Sequence, residues 1–271
     1  PSSGSSAVAA MVGLGLGMVL YMFLMIYGAM VMQSVIEEKS SRVLEVVVSS
    51  VRPFELMMGK IFGVASVAVV QVLIWAVLVC GAGAAVMPHV LPDGAMEAAA
   101  ALQQGGGAAT AAAGDFDPET LGAIALATDV SYLAMLFGYL LLFVVGGYLL
   151  YSAMFAAVGS AVDNAQDAAQ LQTPIMIPII LAVIVEMSVL NDPNSPLAFW
   201  FSLIPFTSPV VMMARIPYGI PTWEIVLSLV LLYAAFVGMV WLSAKIYRVG
   251  IFMYGKKPTL REMFRWIRYK Y

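Results

Sequence analysis

The chain has 271 residues, of which 62% are hydrophobic and only 11% are charged. Soluble domains are nearer to roughly 45–50% apolar and about 25% charged, so this composition excludes a soluble enzyme. The formal net charge of −3 also argues against nucleic-acid binding, because no basic face is available to contact phosphates. The composition therefore predicts an integral membrane protein with no nucleic-acid partner.

Five apolar stretches are each long enough to cross a bilayer core of about 30 Å. In chain order they cover about 8–33, 61–87, 131–158, 174–190 and 223–245. We expect an all-α polytopic membrane protein that forms one transmembrane domain over residues 1–271.

The distribution of Lys and Arg predicts the orientation of these spans. Four basic residues lie in segment 34–60 and eight lie from residue 245 onward, which is twelve of the thirteen in the chain. With five spans both segments fall on the same side, and the positive-inside rule makes that side cytoplasmic. We therefore expect a cytoplasmic C-terminus and an external N-terminus. Because the chain starts with Pro1 and has no targeting signal, we expect one further span and an external domain to precede it.

The segments between the spans differ in character. Segment 88–130 is acidic and has a Gly/Ala-rich core, so we expect a mobile external loop. Segment 159–173 reads as a polar cytoplasmic turn before a helix that starts at Pro174. Segment 191–222 is rich in proline and aromatic residues, which predicts short external helices that dip into the outer leaflet. The basic tail 246–271 is amphipathic and suits an anionic inner-leaflet surface.

The densest pattern lies in the cytoplasmic coupling segment, residues 34–60. Ser34 and Glu37 fit a capping box, so a new helix is expected to start there. Its polar face would carry Glu38, Arg42 and Glu45, which are spaced at i, i+4 and i+7.

A second short helix is expected after these residues. Pro53 suits its first position, and the carboxylate of Glu55 would lie in its first turn. The whole segment reads either as an interfacial connector or as a docking element for a cytoplasmic partner.

The sequence EEKSSRVLEVVVSSVRPFELMMGK resembles the coupling segment of type-2 ATP-binding-cassette (ABC) export permeases. The matching positions are Glu37, Glu38, Lys39, Arg42, Glu45, Pro53, Gly59 and Lys60. A second stretch, residues 204–228, is similar to the external Pro-rich segment and last span of the sodium-export-like branch. The resemblance implies six spans in the full protein, with a large external domain after the first.

The resemblance also implies a function. Two permease subunits, as a homodimer or a heterodimer, would surround a path through the cell inner (plasma) membrane. A separate ABC ATPase subunit would bind ATP and Mg, because this chain has no phosphate-binding loop, and it would dock on the coupling helix. The substrate would be a sodium ion, a drug or another small molecule, exported from the cell.

Two alternatives come from other classes of protein. The first is a membrane scaffold with no transport path. The second is an intramembrane CAAX-type metalloprotease, whose first motif is similar to Glu37-Glu38-x-x-x-Arg42. The only histidine, His89, lies at the outer end of a span, so a histidine-based metal site is not expected. We expect no catalytic residue, metal or cofactor in this chain.

Two ionisable residues are candidates for a translocation path or gate. Glu186 is the one carboxylate inside an apolar span, where it would either contact substrate or extend towards the outer headgroups. Arg215 is the basic residue outside the cytoplasmic segments, and it would either bind lipid phosphate or serve as a gate residue among the external helices.

Overall fold

The computed structural model describes residues 3–41, 50–91, 94–103, 118–255 and 258–268, and within these ranges the chain is helical without a strand. The α-helices are α1 Ser3–Ser40, α2 Pro53–Val90, α3 Ala95–Gln103, α4 Pro118–Thr128, α5 Val130–Ala161, α6 Ala165–Val189, α7 Pro196–Leu203, α8 Ser208–Arg215, α9 Thr222–Gly250 and α10 Leu260–Trp266. A 3-10 turn, Ile216–Tyr218, follows α8.

Five of these helices, α1, α2, α5, α6 and α9, are long and apolar enough to cross a membrane. The prediction of an all-α polytopic protein with five spans in this chain is therefore confirmed. Helix α5 is the central element, because it packs extensively against both α1 and α9 and its C-terminal half is almost entirely buried. Large exposed side chains on the other spans, such as Val77 and Val237, suit contact with lipid.

The expected break between the first span and the coupling segment is wrong. Helix α1 continues without interruption through Ser40, so Ser34 and Glu37 do not cap a new helix. No proline or glycine interrupts residues 30–40, and the hydroxyl of Ser34 accepts a hydrogen bond from Lys60 instead.

Helix α2 also differs from its predicted bounds. Pro53 opens the long second span itself rather than a separate short helix, and the helix continues to Val90. The Glu55 carboxylate accepts a hydrogen bond from the backbone N–H of Arg52 at 3.3 Å, as in a capping box. Of the coupling segment between α1 and α2, residues 41 and 50–52 are described and are non-helical, and residues 42–49 lie outside the described ranges.

The predicted helix start at Pro174 is wrong as well. Helix α6 begins nine residues earlier, because the Asn164 side chain caps it by accepting from the backbone N–H of Asp167 at 2.9 Å. Pro174 and Pro178 therefore lie inside the helix. The turn between α5 and α6 is only three residues long, 162–164.

Segment 88–130 is not simply a mobile loop, since it contains two packed helices. Helices α3 and α4 contact each other through a small cluster of Ala95, Ala99 and Ile124. Asp129 then caps α5 by accepting from the backbone N–H groups of Ser131 and Tyr132. The Gly-rich residues 104–117 lie outside the described ranges.

The Pro-rich segment forms short helices, as its prolines predict, and it reaches deep into the helix bundle. A Cβ atom at Gly147, midway along α5, would contact both Pro209 of α8 and Leu24 of α1. A Cβ atom at Gly13 of α1 would lie 2.4 Å from the carbonyl oxygen of Ala214. Glycines in α1 and α5 thus permit close contact with α8.

The predicted orientation can be tested with single cysteines in a Cys80→Ala background, since Cys80 is exposed on α2. Asn194, before α7, and Gln166, in the first turn of α6, are both exposed. We expect an impermeant thiol reagent to label Asn194→Cys but not Gln166→Cys in intact cells, with both labelled after lysis. Labelling of Gln166→Cys without lysis would contradict the orientation.

Candidate functional site

A buried lysine holds the ends of three spans together. Lys39, in the last turn of α1, has a fully buried side chain although it is charged. Its ammonium donates to the carbonyl oxygens of Ser160 at 2.8 Å and Gly250 at 2.9 Å. It also forms an ion pair with Asp163 at 3.1 Å. The three donors of the ammonium therefore have three oxygen partners.

The position of Lys39 suits the electrostatics of two helix ends. Ser160 and Gly250 lie in the last turns of α5 and α9, where backbone carbonyls lack partners within the helix. A cation is stabilised there by the partial negative charge of the helix C-terminus. Asp163 extends the same network, because its other carboxylate oxygen accepts from the backbone N–H of Gly255 at 2.6 Å. We call Lys39, Asp163 and the two carbonyls the lysine knot.

Close packing of small residues supports the lysine knot. A Cβ atom at Gly250 would lie 2.6 Å from the hydroxyl oxygen of Ser160. A Cβ atom at Gly159 would lie 2.8 Å from the carbonyl oxygen of Met32. Any larger residue at either position would force α9 or α1 away from α5 and would lengthen the contacts of Lys39.

A second contact joins α1 to the beginning of α2. The Lys60 ammonium pairs with the Glu38 carboxylate at 2.5 Å and donates to the Ser34 hydroxyl at 2.8 Å. It lies 3.3 Å from the Ser34 carbonyl oxygen. The end of α1 and the start of α2, which flank residues 41–52 of the coupling segment, are thereby held together.

The other predicted coupling residues are distributed around this contact. Glu37 and Gly59 are exposed, and Pro53 and Glu55 lie in the first turn of α2. Arg42 and Glu45 lie outside the described residues. The structure therefore brings Glu38 and Lys60 together and leaves Glu37 on the surface, where it is accessible to a partner.

Arg215 connects several elements at the opposite end of the bundle. Its side chain is 1% exposed. Its guanidinium donates to the carbonyl oxygen of Pro193 and the hydroxyl of Ser202, and it pairs with Glu224 at 2.9 Å. The predicted lipid-phosphate site is thus wrong for this conformation, because the guanidinium is buried and bound to protein groups.

Glu186 is fully buried in α6, so its predicted extension towards the headgroups is also wrong. Both carboxylate oxygens lack a hydrogen-bond partner among the described residues. The carboxyl group fits against Gly17 of α1, where a Cβ atom would lie 2.6 Å from the carboxyl carbon.

The structure is that of a polytopic helical protein in which Lys39 and Lys60 connect the ends of the spans next to residues 41–52. Comparison with known proteins identifies the class: residues 2–245 match the ABC-2 family transporter protein model. The chain therefore belongs to the ABC-2 transporter family, as its coupling segment predicted.

Two relatives are similar over most of this chain. One is "Uncharacterized protein YhaP" of Bacillus subtilis, 27% identical over 246 residues, which cover 90% of this chain and 52% of the relative. The other is "Uncharacterized protein MJ1024" of Methanocaldococcus jannaschii, 27% identical over 254 residues, which cover 93% and 52%. This chain thus spans about half the length of these relatives. No solved structure matches it significantly.

Lys39 was predicted to be a basic residue of the coupling segment, but its burial was not predicted. The spacing of the apolar residues before Lys39 could have indicated that it is buried. Lys39 follows Met32, Val35 and Ile36 at i+7, i+4 and i+3, and all three are buried. A lysine in register with an apolar helix face indicates a buried ammonium when an acidic partner is available.

The lysine knot predicts that the Lys39–Asp163 ion pair contributes more to the free energy of unfolding than the Lys60–Glu38 pair does. Asp163→Ala should lower the free energy of unfolding by about 2–3 kcal/mol, because it leaves a buried ammonium without its counter-charge. Glu38→Gln, which breaks the more exposed pair, should cost about 1 kcal/mol or less. Apparent melting temperatures in detergent would compare the two variants. Equal losses would show that the lysine knot contributes no special stability.

Proposed function

We propose that this chain is the permease subunit of an ABC export transporter that uses ATP hydrolysed on a separate ATPase subunit. The observation that carries the proposal is the lysine knot at the base of the coupling segment, in a chain that belongs to the ABC-2 family. A partner that binds residues 41–52 would act directly on the ends of four spans.

The mechanism follows from how the coupling segment is attached. The Glu38–Lys60 pair holds its two ends together, and Lys39 in the next position fixes α1 to α5 and α9. A displacement of the segment would therefore move these helices as one body rather than bend one linker. Rigid-body motion of packed helices is an established way to convert a local binding event into alternating access.

The proposed docking face is acidic with one arginine. Glu37 is exposed and Glu38 is partly exposed, while Arg42 and Glu45 complete the face by sequence position. Pro53, Glu55 and Gly59 set the start of α2 beside it. A basic and acidic groove on the ATPase would complement this pattern.

At the outer side we propose Arg215 as a gate residue. Its bonds connect the segment before α7, α7 itself and the start of α9. Opening the bundle outward would require these bonds to change, since they join three elements of the external side.

The remaining parts of the proposal concern assembly and substrate. We propose two permease subunits around a path in the plasma membrane, with the C-terminus and the ATPase in the cytoplasm. Membership of the sodium-export-like branch stays a prediction, because the names of the two relatives specify no substrate. Sodium, a drug or another small molecule are the candidate substrates.

A charge reversal in the coupling segment tests ATPase docking. If residues 38–45 are helical, as their spacing predicts, Arg42→Glu should cost only about 0.2–0.5 kcal/mol for each repulsive pair, which is too little to unfold the bundle. At a docked interface the same change should cost about 2–5 kcal/mol. We expect the full-length variant to insert normally into membranes but to lose co-purification of its ATPase.

Arg265→Glu provides the matched control, because Arg265 is an exposed basic residue on α10, outside the coupling segment. We expect this control to retain the ATPase. If the Arg42→Glu protein retains the ATPase as fully as the control does, the coupling segment is not the docking element.

A further inference from the structure

The carboxyl group of Glu186 lies where α6 contacts α1, and it has no hydrogen-bond partner among the described residues. Its side chain has no exposed surface, and neither oxygen accepts or donates a hydrogen bond among the described residues. Other buried ionic groups in the described bundle, such as Lys39 and Arg215, have several partners each. Glu186 therefore differs from these two residues, because its charged group would have no bonding partner among the described residues.

The contact with α1 leaves no room for a ligand between the carboxyl group and Gly17. A Cβ atom at Gly17 would overlap the Oε1 atom of Glu186 and would lie 3.1 Å from the Oε2 atom. The carboxyl group thus occupies the space that a side chain at position 17 would fill. A sodium ion or an amine would need room and further oxygen ligands, whereas a proton needs neither.

The groups on the neighbouring elements do not neutralise the Glu186 charge. Helix α6 packs against α1, α5, α7 and α8. The ionisable side chains of these elements and of α6 itself are Tyr21, Tyr27, Glu37, Glu38 and Lys39 on α1, Tyr132, Tyr139, Tyr148 and Tyr151 on α5, Arg215 on α8 and Asp167 on α6, while α7 has none.

Most of these groups have partners elsewhere or lie far away. The hydroxyl groups of Tyr27, Tyr148 and Tyr151 donate to Gln71, Ile61 and Phe206. Arg215 is bound at the outer side, as described above. Asp167 and the charged residues 37–39 of α1 lie about 30 Å along their helices from Glu186 and Gly17. None of the ionisable groups bonds to Glu186, since its oxygens have no partner among the described residues.

An ionised carboxylate without a partner is strongly disfavoured in an apolar interior, so the group becomes neutral or moves to water. We propose that Glu186 is a proton-binding site, occupied while α1 and α6 are in contact and emptied when the two spans separate. Closure of α1 on α6 then takes up one proton. This inference does not depend on the ATPase partner or on the substrate.

The protonation state can be observed directly by infrared spectroscopy of the full-length protein in lipid vesicles. At neutral pH exposed carboxyl groups are ionised, so the carbonyl stretching band of a protonated carboxylic acid reports only on protected groups. We expect such a band at pH 7 in the unaltered protein, and we expect Glu186→Gln to abolish it. The glutamine side chain keeps the size and shape of the neutral acid, so this variant should fold.

The glycine variants test the link to the α1–α6 contact. Gly17→Ala places a Cβ atom where the carboxyl group lies, which should separate the two spans and admit water. We expect the pH at which the acid band disappears to fall by about one unit or more. Gly15→Ala is the matched control, because a Cβ atom there meets nothing within 4 Å, and it should leave the titration unchanged.

Two results would overturn the proposal. If the unaltered protein has no acid band at pH 7, or if Glu186→Gln retains the whole band, Glu186 is not protonated in the closed bundle. If Gly17→Ala titrates like Gly15→Ala, proton binding at Glu186 is not linked to the contact between α1 and α6.

Discussion

The buried ammonium of Lys39 is the contact on which the end of the bundle next to the coupling segment depends. A charge in an apolar interior is tolerated only when its donors are all bonded, and Lys39 meets that condition by joining three polypeptide segments. Its carbonyl partners belong to the ends of α5 and α9, so one side chain fixes two helix termini to α1. The attachment of the coupling segment follows, because Lys39 belongs to that segment and lies in the last turn of α1.

A buried basic residue also connects several elements at the opposite end of the bundle. Arg215 joins the Pro-rich segment to α9 through a planar guanidinium that reaches a carbonyl, a hydroxyl and a carboxylate. Between these two polar sites the spans contact each other mainly through apolar residues and glycines. A bundle fixed by polar contacts at both ends, with glycine contacts between them, suits motions in which whole helices shift while their internal structure is kept.

The sequence predicted the all-α architecture with five spans well, because long apolar runs are a strong signal of membrane-spanning helices. It also predicted the short helices of the Pro-rich segment from the spacing of its prolines. Helix boundaries were less predictable. The capping pattern of Ser34 and Glu37 is weak evidence when no breaker precedes it, and a proline inside a span, such as Pro174, does not mark a helix start when an Asn cap lies upstream.

The roles of individual buried polar residues could be predicted only in part. The apolar spacing before Lys39 indicates burial, but its partners in α5 and α9 lie 121 and 211 residues away along the chain, and local patterns carry no information on such contacts. The surroundings of Glu186 and Arg215 likewise depend on which helix faces meet. The close approach of Gly17 to Glu186 also became evident only from the fold.

The central claim is that the lysine knot transmits movement of the coupling segment to the spans. Spin labels at the exposed residues Ser41 and Asn194, in a Cys80→Ala protein assembled with the proposed ATPase subunit, would measure this by electron–electron distance spectroscopy. We expect the distance distribution to shift when a non-hydrolysable ATP analogue binds, and we expect Lys39→Met to abolish the shift. An unchanged distribution on nucleotide binding, or an equal shift in the Lys39→Met protein, would contradict the claim.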